Sequence, residues 1–283
     1  MSQPASSEQK PFVVIAGPCV LEGERAETNL QAAQTLAKIV RGLQSQWDIR
    51  FYFKSSYDKA NRTSIDGYRG PGLTKGLDLL KGIKETVGVP ILTDVHAVEE
   101  IAPVVQVAEM IQIPAFLCRQ TDLLVAAGES GVPVNIKKGQ FLSPHDVVHC
   151  AEKVKSTGNT EVYMTERGNS FGYNNLVVDM RSVPIIQGHG LPVIFDATHS
   201  VQLPGGQGKS SGGKREFAPI LARSAVAAGC DGLFFETHPN PDQGMSDGAN
   251  MIPLDWVEEM LTTCLQIRDV VNKSAAKGSP VGV

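Results

Sequence analysis

The amino-acid sequence predicts a (β/α)8 TIM barrel that forms a single domain over residues 1–283. Two observations lead to this fold class: short apolar, β-branched runs recur eight times along the chain, and most of them are followed by a helical pattern. The predicted strands lie at residues 12–16, 50–54, 90–94, 111–114, 132–137, 160–165, 192–196 and 232–236. The clearest helical patterns lie at residues 26–43, 73–86, 98–109, 145–155, 216–228 and 254–271. Eight βα units in 283 residues are typical of such a barrel, whose strands are buried on both faces and therefore apolar throughout.

An open, doubly wound sheet is the structural alternative. No GxGxxG pattern follows the first predicted strand, although that pattern marks the phosphate-binding turn of the dinucleotide-binding folds of this class. The sequence also contains no internal repeat and no low-complexity linker that would divide the chain. We therefore expect one barrel.

Composition and charge exclude several classes of function. The chain has 26 Lys and Arg against 30 Asp and Glu, a net charge of −4, so it offers no overall basic field for nucleic acid or for an anionic membrane. The N-terminal residues are polar and no run reaches membrane-spanning length, which predicts a cytoplasmic protein. Five scattered cysteines without CxxC spacing indicate reduced thiols rather than a disulfide framework. Any anionic ligand must therefore be held by a local cluster of cations.

Each predicted strand is followed by a residue that is capable of chemistry, on the face where barrels place their active sites. These residues are Cys19, Lys54, Asp94, Arg119, Lys137, Arg167, His199 and Glu236. Any one of the cations, taken alone, is more often a surface charge. Together, six cations are expected to converge on one pocket: Lys54, Lys59, Arg62, Arg119, Lys137 and Arg167. Such a pocket suits more than one anionic group, because lysine acts as a point charge and arginine grips phosphate or carboxylate with two donors.

A second set of residues has the chemistry of metal ligands. Cys19, His199, Glu236 and Asp247 offer a thiolate, an imidazole and two carboxylates near strand ends. This mixed set suits Zn²⁺, Fe²⁺, Mn²⁺ or Co²⁺ better than Ca²⁺ or Mg²⁺, which prefer oxygen ligands. The spacing matches no local zinc pattern, so ordinary structural roles for each residue stay open on this ground alone.

The segment at residues 203–215 contains five glycines and three cations. On composition alone, this segment is as typical of a solvated, disordered loop as of a loop with a function. Its position after the seventh predicted strand favours a mobile lid, because barrels bind substrate at that face and such loops exclude water during reaction. We therefore expect a lid.

Seven separated motifs resemble those of the 3-deoxy-D-manno-octulosonate 8-phosphate synthases and stand in the same order. They are AGPC with Glu22 (16–22), KSSYDKANRTS (54–64), RQTD (119–122), NIKKGQ (135–140), TERG (165–168), DATHS (196–200) and ETHP (236–239). The similarity spans residues 12 to 271, so it is far more specific than a single glycine signature. Related synthases that use erythrose 4-phosphate typically have Lys-Pro-Arg-Thr-Ser where this chain has Ala60 and Asn61 between Lys59 and Arg62.

The resemblance implies a reaction in which phosphoenolpyruvate and D-arabinose 5-phosphate condense, in the synthesis of lipopolysaccharide precursors. Water attacks the phosphate-bearing carbon of phosphoenolpyruvate, the methylene carbon attacks the sugar aldehyde, and phosphate leaves with C–O cleavage. The implied catalytic residues are Lys54, Asp94, Lys137 and His199. The implied substrate-binding residues are Lys59, Asn61, Arg62, Ser64, Phe116, Arg119, Gln140 and Arg167. Of these, Gln140 and Arg167 would hold phosphoenolpyruvate together with Lys54 and Lys137, whereas Asn61, Arg62, Ser64 and Arg119 would hold the sugar phosphate.

The same resemblance also implies a cofactor and an assembly. Members with cysteine in the first motif require a metal, and members with asparagine do not, so Cys19 and the turn at Asp247 predict the metal-requiring branch. The expected ligands are then Cys19, His199, Glu236 and Asp247, and the expected form is a homotetramer. Two other functions stay open: the erythrose 4-phosphate synthase, and a barrel that binds a phosphorylated sugar and a metal as a sensor.

Overall fold

A computed structural model of the chain describes residues 10–205 and 212–276. It contains a closed barrel of eight parallel strands, as the sequence predicts. The strands are β1 (Phe12–Gly17), β2 (Ile49–Lys54), β3 (Ile91–Asp94), β4 (Met110–Ile113), β5 (Val134–Lys137), β6 (Val162–Glu166), β7 (Val193–Asp196) and β8 (Gly232–His238). Each strand pairs with the next, and β8 pairs with β1 from Val13 opposite Gly232 to Gly17 opposite Glu236, which closes the barrel.

Eight α-helices surround the barrel in the part of the chain that the structure describes. They are α1 (Ala26–Leu43), α2 (Leu73–Val87), α3 (Val98–Val104), α4 (Thr121–Glu129), α5 (Val147–Lys155), α6 (Ser182–Gly188), α7 (Ala218–Ala227) and α8 (Val257–Ala276). The largest apolar cluster lies between the helices and the outer faces of the strands. No helix among the described residues is long and apolar enough to cross a membrane.

One predicted helix is shorter in the structure, and two helices of the structure were not among the predicted ones, for local reasons. Helix α3 ends at Val104, five residues before the predicted end at Glu109, and it contains Pro103, which lacks the N–H donor that continues a helix. Helices α4 and α6 were not predicted. The first is apolar throughout its middle, Leu123 to Ala127, so no polar face alternates with an apolar one there, and the second has only seven residues and includes a proline.

The prediction that the strands are apolar throughout is wrong for one end of the barrel interior. Seven buried residues form an apolar floor inside the barrel, namely Val13, Ile15, Tyr52, Leu92, Met110, Ile194 and Phe234. Side chains two residues apart on a strand share a face. The residues that follow this floor on the same faces are polar: Lys54 follows Tyr52, and Glu236 follows Phe234. The interior therefore changes from apolar to charged towards the carboxyl ends of the strands.

Candidate active site

A cavity of about 630 Å³ opens at the carboxyl ends of the barrel strands. Thirteen of the residues proposed from the sequence line it: Lys54, Lys59, Asn61, Arg62, Ser64, Asp94, Phe116, Lys137, Gln140, Arg167, His199, Glu236 and Asp247. Cys19 is buried beside this lining, with Sγ 3.3 Å from Oδ2 of Asp247. The structure thus brings five of the six predicted cations and the predicted metal ligands to one place.

Arg119 is the exception to the predicted convergence of six cations. It follows the short helical turn Ala115–Leu117 after β4, and its side chain is exposed and not part of the cavity lining. Its backbone carbonyl accepts a hydrogen bond from Nζ of Lys153. Within one chain, five of the six cations therefore reach the cavity, and the turn carries Arg119 away from it.

Lys137 lies at the centre of the cavity floor, at the end of β5. Its Nζ donates a hydrogen bond to Oδ2 of Asp196 at 2.7 Å and lies 3.4 Å from Nδ1 of His199. The same ammonium lies 3.6 Å from the ring centroid of Phe234, a favourable cation–π contact. Burial lowers the pKa of Lys137, and the charge of Asp196 opposes that shift. Asp196 is the last residue of β7 and the first of the DATHS motif, but its sequence position alone assigns it no role.

Lys54 and Glu236 form a buried ion pair across the barrel. The Nζ of Lys54 donates to Oε1 of Glu236 at 2.8 Å and to the carbonyl of Cys19 at 3.0 Å. Lys59 lies 3.9 Å from both Glu236 and Asp94. Burial alone would raise the pKa of Glu236, but the charges of Lys54, His199 and Lys59 hold it well below its ordinary value. Glu236 is therefore a carboxylate despite its burial.

Arg167 and Gln140 present unused hydrogen-bonding atoms to the cavity. Nη2 of Arg167 donates to Oε1 of Gln202 at 3.1 Å. Its Nη1 and the Oε1 of Gln140 are buried and have no hydrogen-bond partner among the described residues. Burying an unpaired guanidinium donor is costly, so such a group points to an anionic ligand that completes its hydrogen bonds. The guanidinium donor suits a phosphate or carboxylate, whereas the amide oxygen of Gln140 can only accept a hydrogen bond, as from a hydroxyl group or water.

Cys19, Glu236 and Asp247 could together hold a metal ion, because their ligand atoms lie within 4.8 Å of one another. The fourth predicted ligand, His199, lies outside this cluster of three, but its Nε2 is 3.7 Å from Oε2 of Glu236. That oxygen is buried and has no hydrogen-bond partner in the residues that the structure describes, so the donor set fits a cation. Burial and the charge of Glu236 raise the pKa of the Cys19 thiol. A bound divalent cation would offset this, because it favours the thiolate.

Asp247 has an unusual backbone conformation. Its φ of 51° lies in the left-handed region, which residues other than glycine adopt rarely, although aspartate tolerates it better than most. Its carbonyl accepts hydrogen bonds from the backbone of Asn250 and Met251 at 2.8 and 3.2 Å. Arg62 also contacts this turn: it donates a hydrogen bond to the Ser246 hydroxyl, and its Nη1 lies 3.9 Å from Oδ1 of Asp247. The predicted sugar-phosphate arginine is thus adjacent to the predicted metal set.

Asp94 is held as an oriented carboxylate. Gln112 donates a hydrogen bond to one of its oxygens and Ser56 donates to the other at 2.5 Å. Burial alone would raise the pKa of Asp94, but the charges of Lys54 and Lys59 hold it far below its ordinary value. A carboxylate with so low a pKa is a weak base, so Asp94 is better suited to accept a hydrogen bond than to remove a proton. Ser56 belongs to the motif at residues 54–64, but its sequence position assigns it no role, and Gln112 lies in no motif, because a hydrogen bond between neighbouring strands leaves no local pattern.

The predicted lid at residues 203–215 is described only at its two ends, and residues 206–211 lie outside the described part of the chain. The segment Gln202–Leu203 pairs with Gly212–Gly213 in an antiparallel ladder. At the far end, Arg215 donates hydrogen bonds to Asp242 at 2.5 Å and to the carbonyl of Gly248 at 2.8 Å. The base of this segment is therefore attached to the loop that carries Asp247.

Comparison with known proteins identifies the family. The model of the DAHP synthetase I family matches residues 4–273. The chain is similar to proteins named 2-dehydro-3-deoxyphosphooctonate aldolase. The one from Desulfatibacillum aliphaticivorans is 54% identical over 91% of this chain and 92% of that protein. The one from Desulfosudis oleivorans is 55% identical over 94% of this chain and 93% of that protein. The protein of that name in Francisella tularensis subsp. holarctica is 52% identical over 93% of both chains. With the barrel, the cations and these relatives in agreement, the chain belongs to the DAHP synthetase I family.

Proposed function

We propose that this protein is a cytoplasmic enzyme that condenses phosphoenolpyruvate with D-arabinose 5-phosphate and water, giving 3-deoxy-D-manno-octulosonate 8-phosphate and phosphate. One observation carries the proposal: a single cavity holds five cations beside a mixed sulfur, nitrogen and oxygen ligand set. The names of the relatives support the sugar, because a phosphooctonate has eight carbons. Three come from phosphoenolpyruvate, so the aldose must supply five.

Phosphoenolpyruvate fits the inner part of the cavity. Its carboxylate and phosphate need several donors. These are supplied by Lys54 at the end of β2, Lys137 and Gln140 at and after the end of β5, and Arg167 after β6. The unpaired Nη1 of Arg167 gives one anionic group a partner. As water adds to the phosphate-bearing carbon and the methylene carbon bonds to the aldehyde carbon, the C–O bond to phosphate breaks. These fixed cations stabilise the negative charge that develops on the oxygens.

The sugar phosphate fits the outer part, where Asn61, Arg62 and Ser64 line the cavity on the loop after β2. Lys137 is the side chain best suited to supply a proton to a developing alkoxide, because its lowered pKa makes its ammonium a stronger acid. Cys19, His199, Glu236 and Asp247 would hold Zn²⁺, Fe²⁺, Mn²⁺ or Co²⁺. Such an ion would polarise an oxygen of the substrates as a Lewis acid.

Phosphate release measured with phosphoenolpyruvate plus each aldose phosphate tests the proposal. We expect arabinose 5-phosphate to have a kcat/KM at least about 100-fold above that of erythrose 4-phosphate, which corresponds to about 2.7 kcal/mol of transition-state discrimination. A preference for the four-carbon sugar would assign the protein to the other synthase. Binding of both substrates without phosphate release would instead support the sensor.

Arg62→Ala is expected to raise the KM for arabinose 5-phosphate by about 10- to 100-fold while the KM for phosphoenolpyruvate changes less than about threefold, because only the sugar phosphate loses a bidentate partner. Steady-state kinetics with each substrate varied in turn measures this split. Arg62→Lys keeps the charge and serves as the matched control, with a smaller loss. Because Arg62 also contacts Ser246, metal content is measured in both variants. Equal weakening of both substrates would show that the subsites are assigned wrongly.

The lid proposal predicts protection from proteolysis. Cleavage within residues 203–215 is expected to slow at least about tenfold when both substrates are bound, because a closed loop presents its backbone less often to the protease. Mass spectrometry of limited digests locates and times the cuts. A cleavage rate that ligands leave unchanged would make the segment a loop without a closing role.

We also propose a homotetramer. Large apolar side chains are exposed near the hairpin between Asn169–Ser170 and Leu176–Val177, where Phe171 is 71% and Tyr173 99% exposed. Phe141 is 59% exposed, and its neighbour Gln140 is hydrogen-bonded to Ser170 through the backbone. Exposed aromatic groups in one region are typical of protein interfaces. Sedimentation equilibrium measures the assembly directly, and a monomer at micromolar concentration would overturn this proposal.

A further inference from the structure

Four polar side chains on adjacent strands form a continuous hydrogen-bonded row inside the barrel. Oγ1 of Thr165 on β6 donates to Oδ1 of Asn135 on β5 at 2.7 Å. Nδ2 of Asn135 donates to Oε1 of Gln112 on β4 at 2.9 Å, and Gln112 donates to Oδ1 of Asp94 on β3. All four are buried, with exposed fractions of 6% or less. Gln112 and Asp94 line the cavity, but Thr165 and Asn135 do not.

The charge of Asp94 fixes the direction of every hydrogen bond in this row. An ionised carboxylate can only accept, so Gln112 must turn its NH₂ group towards Asp94 and its carbonyl towards Asn135. Asn135 must then turn its own NH₂ group towards Gln112 and its carbonyl towards Thr165. Thr165 is the terminal donor. Because each bond polarises the next, the row acts as one unit rather than as three separate contacts.

The other oxygen of Asp94 is fixed from the opposite side. Ser56 donates to Oδ2 at 2.5 Å, and Nζ of Lys59 donates to the hydroxyl of Ser56 at 2.9 Å. Both oxygens are therefore oriented by donors, and the carboxylate faces the cavity beside the loop that carries Asn61 and Arg62. A carboxylate would repel the two anionic groups of phosphoenolpyruvate. It suits an uncharged hydroxyl group, which can donate a hydrogen bond to it.

We infer that Thr165 and Asn135 are positioning residues for the sugar substrate, which act through Gln112 to orient Asp94 as the acceptor for a sugar hydroxyl group. This inference rests on the proposed function, because it takes an aldose phosphate as the second substrate. Neither residue touches the cavity, so their effect on sugar binding is indirect. The row ends on a carboxylate that lines the cavity, where a bound substrate can reach it.

The decisive variant is Thr165→Val, which keeps the shape of the side chain and removes the terminal donor. We expect the KM for arabinose 5-phosphate to rise about 5- to 20-fold, with the KM for phosphoenolpyruvate within about twofold of wild type. Thr165→Ser restores the hydroxyl and is expected to recover most of the loss. Thr237→Val is the matched control, because that fully buried hydroxyl donates to the carbonyl of Ile252 at 2.9 Å, outside the row.

A double-mutant cycle tests whether Thr165 acts through Asp94. In an Asp94→Asn background, Thr165→Val is expected to change the KM for the sugar less than about twofold, because the residue it orients has already lost its charge. The inference would be overturned if the two substitutions changed the KM for the sugar independently of each other. It would also be overturned if Thr165→Val raised the KM of both substrates equally, or lowered only the melting temperature. A wild-type protein that releases no phosphate with any aldose would overturn the proposed function instead. Calorimetric titration with arabinose 5-phosphate alone would then decide the positioning role.

Discussion

Lys137→Met is expected to lower kcat on the order of 10³-fold with both substrates saturating, the largest loss that a single donor of a charge-stabilising site usually gives. The ammonium lies among Asp196, His199 and the ring of Phe234, at the end of β5 on the cavity floor. Methionine has a similar length and no charge. The variant therefore removes the cation that faces the developing charge while filling much of its volume.

The same substitution is expected to lower stability, which must be separated from the catalytic loss. It leaves the buried Asp196 with His199, whose Nδ1 lies 2.7 Å from Oδ2 of Asp196, so the loss is expected to stay below the usual cost of breaking a buried ion pair, about 3–5 kcal/mol. The double variant Lys137→Met with Asp196→Asn removes the carboxylate that has lost its lysine. We expect it to recover most of the melting temperature and none of the activity. Recovery of kcat together with stability would make the role of Lys137 structural only.

A surface lysine provides the control for charge removal in general. The side chain of Lys81 is 63% exposed, and its ammonium lies 4.0 Å from Glu85 on the outside of α2. Exposed pairs of this kind contribute at most about 1 kcal/mol to stability. Lys81→Met is therefore expected to leave both kcat and melting temperature close to those of wild type. Any change in this variant would measure the general effect of removing one positive charge, apart from the specific effect of losing Lys137.

The barrel and most of the cavity could be predicted from the sequence because both follow from short periodicities. Buried parallel strands are apolar runs, and the residue at the carboxyl end of each run marks one face of the barrel. Lys54, Asp94 and Lys137 end their strands, and all three line the cavity. Where the chain continues beyond the strand in a helical turn, as it does before Arg119, the sequence position no longer determines where the side chain lies.

The interactions that hold the catalytic groups could not be predicted in the same way. Asp196 pairs with Lys137 and Gln112 with Asp94, each between two different strands and at separations of 59 and 18 residues. Such pairs depend on the relative register of neighbouring strands, which a single sequence does not reveal. The expectation of wholly apolar strands does not anticipate polar side chains such as Asn135 and Thr165 inside the barrel. In the structure both belong to the hydrogen-bonded row that ends at Asp94.

Removal of the metal is expected to abolish activity, and Zn²⁺, Fe²⁺, Mn²⁺ or Co²⁺ should restore it to different degrees. Cys19→Ala is expected to reduce bound metal below about a tenth of an ion per chain, because it removes the softest ligand of the set. Elemental analysis after gel filtration measures the metal independently of activity. Cys264→Ala, which removes another fully buried thiol between packed helices, is expected to keep both metal and activity.

Cys19→Asn is the more informative change, because the family resemblance implies asparagine at this place in the members that need no metal, whereas this chain resembles the metal-requiring members. Its amide is nearly as small as the thiol and can donate to the carboxylate of Asp247, which lies 3.3 Å from the Cys19 sulfur. We expect this variant to bind little metal and to retain measurable activity that a chelator does not change, whereas Cys19→Ala retains none. The Ser246 hydroxyl, 3.1 Å from the same sulfur, offers the amide a second partner. Full activity in metal-stripped wild-type protein would refute the metal site and leave the barrel and the phosphoenolpyruvate chemistry intact.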